Sequence, residues 1–271
     1  MIKTWLVSAA LVVCCGIAQV AECAALVREE KTIVVNGHKE TWQLRWLHAP
    51  KPSPYCSPMG ESFENNCLCA GFAYGESGKL EVTRRVGKKT ERLLLDQFGR
   101  AGDYDSQGPD TVLRKWEPQS DDPSDDTNPE AVAKLIASLK RRPESDVLAL
   151  GDYVHDGVGR QFLFQVGQMT CGKRMSILVG VTAQNPHLHA IKPAPGATEP
   201  IVAEERAWQA LLAGGGASTT TFWLCGDHGS EQETELLLVA HGGFVTGTTR
   251  SYACGKDGQR GNPVGSGSWP Q

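Results

Sequence analysis

Apolar and polar residues alternate with period two along much of the chain, and that period predicts strands. Thr32-Ile33-Val34-Val35 is β-branched, Asn36-Gly37 tolerates positive φ, and Thr41 to Trp46 alternates. Residues 32–46 therefore read as a hairpin with Trp42, Leu44 and Trp46 on one face. Residues 79–86 and 90–95 flank Gly87-Lys88-Lys89 in a second hairpin. Further strands are expected at 71–74, 111–116, 147–150, 161–166, 175–181, 219–224, 234–240 and 248–252.

The helical period surfaces twice. Asn128 is a capping residue, Pro129 suits the first helical position, and Glu130 suits the dipole. Val132, Leu135, Ile136 and Leu139 follow at i, i+3, i+4 and i+7, and Lys140-Arg141-Arg142-Pro143 ends the helix. A second helix is expected from Pro200 to Leu212, with Trp208, Leu211 and Leu212 inward and Gly214-Gly215-Gly216 as its stop. Ala49 to Pro58 reads as irregular, 118–128 as an acidic linker-like loop, and 256–271 as a flexible Gly/Ser/Pro-rich tail. The expected fold class is mainly β (α+β): antiparallel sheets in a sandwich, barrel or propeller-like arrangement with two inserted helices, stabilised by disulfides.

The N-terminus changes the compartment. Lys3 precedes an apolar run from Trp5 to Ala18, shorter than the roughly 20 residues a membrane span needs. Cys23 and Ala25 are small residues placed for cleavage after position 25, so residues 1–25 read as a secretory signal peptide. Residues 26–255 are then a single exported domain, secreted or periplasmic, with no mature transmembrane segment. Cleavage removes Lys3 and Glu22, so the net charge of −4 is unchanged. A mildly acidic chain without a Lys/Arg cluster has no electrostatic footprint for nucleic acid. At 271 residues, 40% hydrophobic and 21% charged, it is neither a disordered polymer nor collagen-like.

Of nine cysteines, Cys14, Cys15 and Cys23 leave with the signal, and Cys56, Cys67, Cys69, Cys171, Cys225 and Cys254 remain. An even number in an exported chain favours disulfides. Cys67 and Cys69 are poorly placed to bond each other, so each is expected to pair with a distant cysteine. The competing reading makes Cys67-Leu68-Cys69 part of a thiolate metal site.

Residues 148–164, LALGDYVHDGVGRQFLF, run strand, acidic turn, strand. This stretch resembles a single FG-GAP-type repeat, in which an Asp-x-Asp-x-Asp-Gly loop holds Ca²⁺ between two strands of a propeller blade. The resemblance implies Asp152 and Asp156 as calcium ligands. Val154 stands where the middle oxygen ligand belongs, and Arg160 or Gln161 where a closing carboxylate is expected. Two carboxylates leave Ca²⁺ short of its usual six to eight oxygens, and the alternative is that both satisfy backbone N–H groups of the turn.

His187-Leu188-His189, if extended, places both imidazoles on one face at a zinc-ligand spacing. His228, His241 or Asp227 are candidate third ligands. Metalloprotease, nucleophile-elbow, phosphate-loop and dinucleotide motifs are absent from the chain. Two functions are thus expected from different classes. One is a non-catalytic extracytoplasmic binding or structural module with an envelope or extracellular partner. The other is a secreted, zinc-dependent hydrolase using His187, His189 and His228.

Overall fold

A computed structural model describes residues 26–54, 74–98, 111–116, 129–169, 173–226 and 229–269. The expected signal peptide, the acidic loop, Cys56, Cys67, Cys69, Cys171, Asp227 and His228 lie outside the described residues. The described residues are mainly β, 53% strand and 10% helix, with antiparallel sheets and two α-helices.

The first sheet has the order β1-β2-β5-β6, with β1 Leu26–Val35, β2 His38–Trp46, β5 Leu80–Val86 and β6 Lys89–Leu94. The expected first hairpin is present: Asn36 (φ 50°) and Gly37 (φ 77°) form its two-residue turn. Left-handed φ at both central positions matches the right-handed strand twist, which is why Asn-Gly serves there. Gly87 and Lys88 likewise join β5 to β6, with Val86 opposite Lys89. Trp42, Leu44 and Trp46 are buried together, and their cross-strand partners Val82 and Leu80 are buried with them. A small sheet of β3 (Lys51–Pro54), β4 (Tyr74–Gly78) and β7 (Thr111–Arg114) stands beside this one in the chain order.

Helix α1 spans Pro129–Leu139, as its proline and periodicity predict. The segment 147–150 is not a ladder strand. Its Val147 and Leu148 N–H groups donate to the Glu29 carboxylate on β1 at 2.9 and 3.1 Å, so a side chain supplies the acceptors. The third sheet centres on β9 (Lys173–Gly180), which pairs with β8 (Gln161–Met169), β10 (His189–Ala190) and β11 (Ala203–Glu204). Helix α2 spans Glu205–Ala213, starting later than the expected Pro200. Ile201, Val202 and Ala203 run extended and buried instead, and Ala203 pairs with Ser176 of β9.

The fourth sheet has the order β12-β13-β14-β15: Ala217–Trp223, Gln232–His241, Phe244–Cys254 and Arg260–Trp269. Here the expected flexible tail is overturned, because β15 pairs along β14. Its anchor is Trp269, whose indole N–H donates to the Val202 carbonyl at 2.5 Å and whose ring meets Phe222 edge-on at 5.2 Å. Cys225 and Cys254 form a disulfide, Cα–Cα 5.3 Å, tying the segment after β12 to the end of β14.

Sheet β8–β11 is apolar on both faces. Phe162, Phe164, Met175, Ile177 and Val179 join Trp42, Leu44 and Val82 in one core. Leu178 turns the other way and joins Trp208 and Leu211 of α2 with Leu236 and Leu238 of β13. Period-two alternation along β9 thus feeds two cores at once. The described residues contain no helix long and apolar enough to cross a membrane.

Candidate functional site

A buried cluster of charge lies at one end of the first core, and strand alternation puts it there. On β2, Glu40 is two residues from Trp42, so it shares the core-facing side. Cross-strand register places Arg84 opposite Trp42 and Glu91 opposite Arg84. Glu40 and Arg84 are both buried, and the Arg84 guanidinium lies over the Trp42 ring at 5.7 Å.

A guanidinium and a carboxylate at that depth require full pairing. Arg84 donates through Nε and Nη2 to the two oxygens of Glu40, each at 2.9 Å. Its Nη1 donates to the Pro186 carbonyl at 2.8 Å and to Glu91 at 3.2 Å. Arg160, from the loop before β8, adds a further bond to Glu40. Burial by itself would raise the Glu40 carboxyl, but Arg84 and then Arg160 outweigh it and hold Glu40 below the ordinary glutamate value. Burial opposes the Arg84 charge too, and Glu40 and Glu91 reverse that, raising Arg84.

Glu91 binds the next layer. It accepts from His187 Nδ1 at 2.8 Å and from the Leu188 N–H at 3.1 Å, with Lys89 Nζ at 3.3 Å. Burial again opposes ionisation, yet these partners and Arg84 bring Glu91 down to about 2. The unfolded chain therefore binds more protons than the native one between about pH 4.5 and about pH 2. Stability from Glu91 should be fully present above that window and fall as pH drops through it. Urea midpoints across the window should show the decline, and Glu91→Gln should flatten it. Arg84, Val86, Lys89, Glu91, Pro186 and His187 line a groove of about 220 Å³ here.

The acidic turn abuts this cluster through Arg160. Asp152 accepts the N–H groups of Asp156 and Gly157, both at 3.0 Å, one on each oxygen. Asp156 accepts those of Val158 at 2.9 Å and Ala183 at 2.6 Å. All four carboxylate oxygens thus hold backbone N–H groups. Gln161, where the calcium-loop pattern closes with a carboxylate, is fully buried. It accepts from the Tyr153 N–H at 3.0 Å and donates to the Val181 carbonyl at 2.7 Å. His155 sits at φ 51°, with Nε2 against the Leu211 carbonyl at 2.8 Å. The turn is a hub that joins sheet, helix and the 181–189 loop. Adding Ca²⁺ should leave the melting curve where chelator leaves it. Asp152→Ala should cost about 2–4 kcal/mol through two lost bonds to a charged acceptor, read by urea denaturation.

The zinc candidates are held apart in role. His187 is exposed and precedes β10, and only His189 lies in a strand. His189 Nδ1 contacts the His187 carbonyl at 2.7 Å, while His187 Nδ1 faces Glu91. Burial lowers the His189 pKa, favouring the neutral ring. Among the described residues no group of three His, Cys, Asp or Glu side chains is arranged to hold a metal ion. The cluster that does form was missed in the sequence: Glu40 and Arg84 continue the buried stripes of β2 and β5 by one alternation, but nothing local marks either as buried. No protein-family model matches the chain, and neither a curated protein nor a solved structure matches it.

Proposed function

We propose that this chain is an exported, non-catalytic module that binds an envelope or extracellular partner, and that the groove beside Arg84 is its recognition surface. The observation that carries this reading is the state of the groove's polar groups. Arg84 and Glu91 are each held by several fixed partners, and Pro186 lends its carbonyl to Arg84. A general base or nucleophile needs a lone pair directed at substrate. These side chains instead lock a rigid surface, with Val86 and Pro186 as apolar wall and exposed Lys89 and His187 as polar rim. An apolar centre within a polar rim is the usual anatomy of a protein contact. The sandwich or propeller-like assembly of the sheets, export through residues 1–25, and oxidation of all six remaining cysteines belong to the same reading.

Elemental analysis of protein recovered from an oxidising compartment, with mass spectrometry of its N-terminus, tests it. The expected result is a chain starting near Leu26 without stoichiometric zinc. One zinc per chain that disappears in His187→Ala, together with hydrolytic activity, would overturn the reading in favour of the hydrolase.

A further inference from the structure

A second concavity lies away from the groove, where β7, the 145–149 segment, β8, β9 and α2 converge. Its volume is about 90 Å³. At roughly 15 Å³ for each water-sized centre, it holds about six such positions. Leu113 and Leu163 line it together with polar side chains.

The formal charges on its wall sum to zero. Arg114 and Arg174 stand against Asp146 and Glu205. Arg174 Nε is 2.5 Å from Glu205, and Asp146 is held by Lys31 at 2.6 Å. What is left over is neutral hydrogen-bonding capacity. Tyr153 is 2% exposed, and among the described residues its hydroxyl accepts only a long bond from Gln209 Nε2, at 3.5 Å. The phenolic proton therefore has no acceptor among the bonds its oxygen makes. Ser145 is 8% exposed, and its Oγ has no hydrogen-bond partner among the described residues. Buried hydroxyls are nearly always bonded, to protein or to something bound.

We propose that this cleft binds a small neutral polyhydroxylated molecule, with Tyr153 and Gln209 bonding its hydroxyls and Leu113 and Leu163 facing its C–H groups. Two arginines and two carboxylates leave the wall without net charge, so no net field selects an anion or a cation. A purely apolar ligand would leave the Tyr153 and Ser145 hydroxyls without partners at a cost. A polyol of glycerol to erythritol size matches both the volume and the mixture of surfaces. The site is independent of the groove and stands whether or not the groove contacts a partner.

Saturation-transfer NMR and isothermal titration with erythritol, on the full exported chain, test this. Acetate and glycine serve as charged controls of similar size. Erythritol should show transfer and saturable binding, and Tyr153→Phe should weaken it about fivefold to tenfold, the loss of one hydrogen bond. Gln209→Ala, on the exposed side of α2, should weaken it similarly and keeps the test open if the Tyr153 variant folds poorly. Absence of transfer to erythritol, affinity unchanged in both variants, or stronger binding of acetate or glycine that depends on Tyr153 would each overturn the assignment.

Discussion

Glu40→Ala should destabilise the protein by about 3–5 kcal/mol, because it strands Arg84 and Arg160 without their shared carboxylate. The Glu40 side chain is only 4% exposed and that of Arg84 8%. The Arg84 guanidinium cannot recover its lost bonds from water at that depth. The denaturant midpoint should drop without a change in slope, since the native surface is otherwise intact. Glu40→Gln should cost less, as it keeps an acceptor for one of the two arginines. Replacing Glu40, Arg84 and Arg160 together by apolar residues of similar volume should recover part of the loss, because a buried network is worth far less against a packed alternative than against its own fragments. A Glu40→Ala variant as stable as the parent would show that the network is not closed in solution.

Cys225→Ser should be the other large effect. The bridge closes a loop with a sequence separation of 29. In the chain-entropy description a loop of that length is worth about 3.5 kcal/mol, through constraint of the unfolded chain. For a domain of this size that corresponds to a fall of about 10 °C in melting temperature. The bridge also fixes the end of β14, where the Cys254 N–H donates to the Glu231 carbonyl at 3.0 Å. Calorimetry of the variant beside the oxidised parent measures the shift. Reductant should move the parent toward the variant, and equal melting temperatures in all three samples would remove the bridge from the account of stability.

What was legible in the chain was local. Asn36-Gly37 and the alternation after it specify the first hairpin, Gly87-Lys88 the second, and Pro129 the start of α1. Trp42, Trp46 and Trp208 are buried as their positions predict. Distant partners decide the rest. Residues 147–150 have the composition of a strand, but Glu29, more than 100 positions earlier, takes two of their N–H groups. Residues 260–269 are too rich in Gly and Ser to read as a strand, and Trp269 holds them by reaching Val202, 67 positions away. At the candidate site, the turn glycines and aspartates were visible. Glu40 looked like any solvated charge on an alternating strand, because Arg160, 120 positions on, covers it only in the folded chain.

The two-sided strand β9 has a consequence for how the molecule comes apart. Its Met175, Ile177 and Val179 belong to one core and its Leu178 to the other, and Ser176 also offers its backbone carbonyl to the Trp208 indole at 2.9 Å. Neither core can melt while the other keeps its wall. The two apolar clusters are therefore coupled through one ribbon of backbone and should dissolve together as a single cooperative unit. Amide protons along β9 are expected to exchange only through global opening, and so to be the slowest in the chain. The frayed end of the spectrum belongs to β15, which carries the outermost ladder of the fourth sheet. Cut between its two cores, the polypeptide would not yield two small proteins, since each half would lack one side of the same strand.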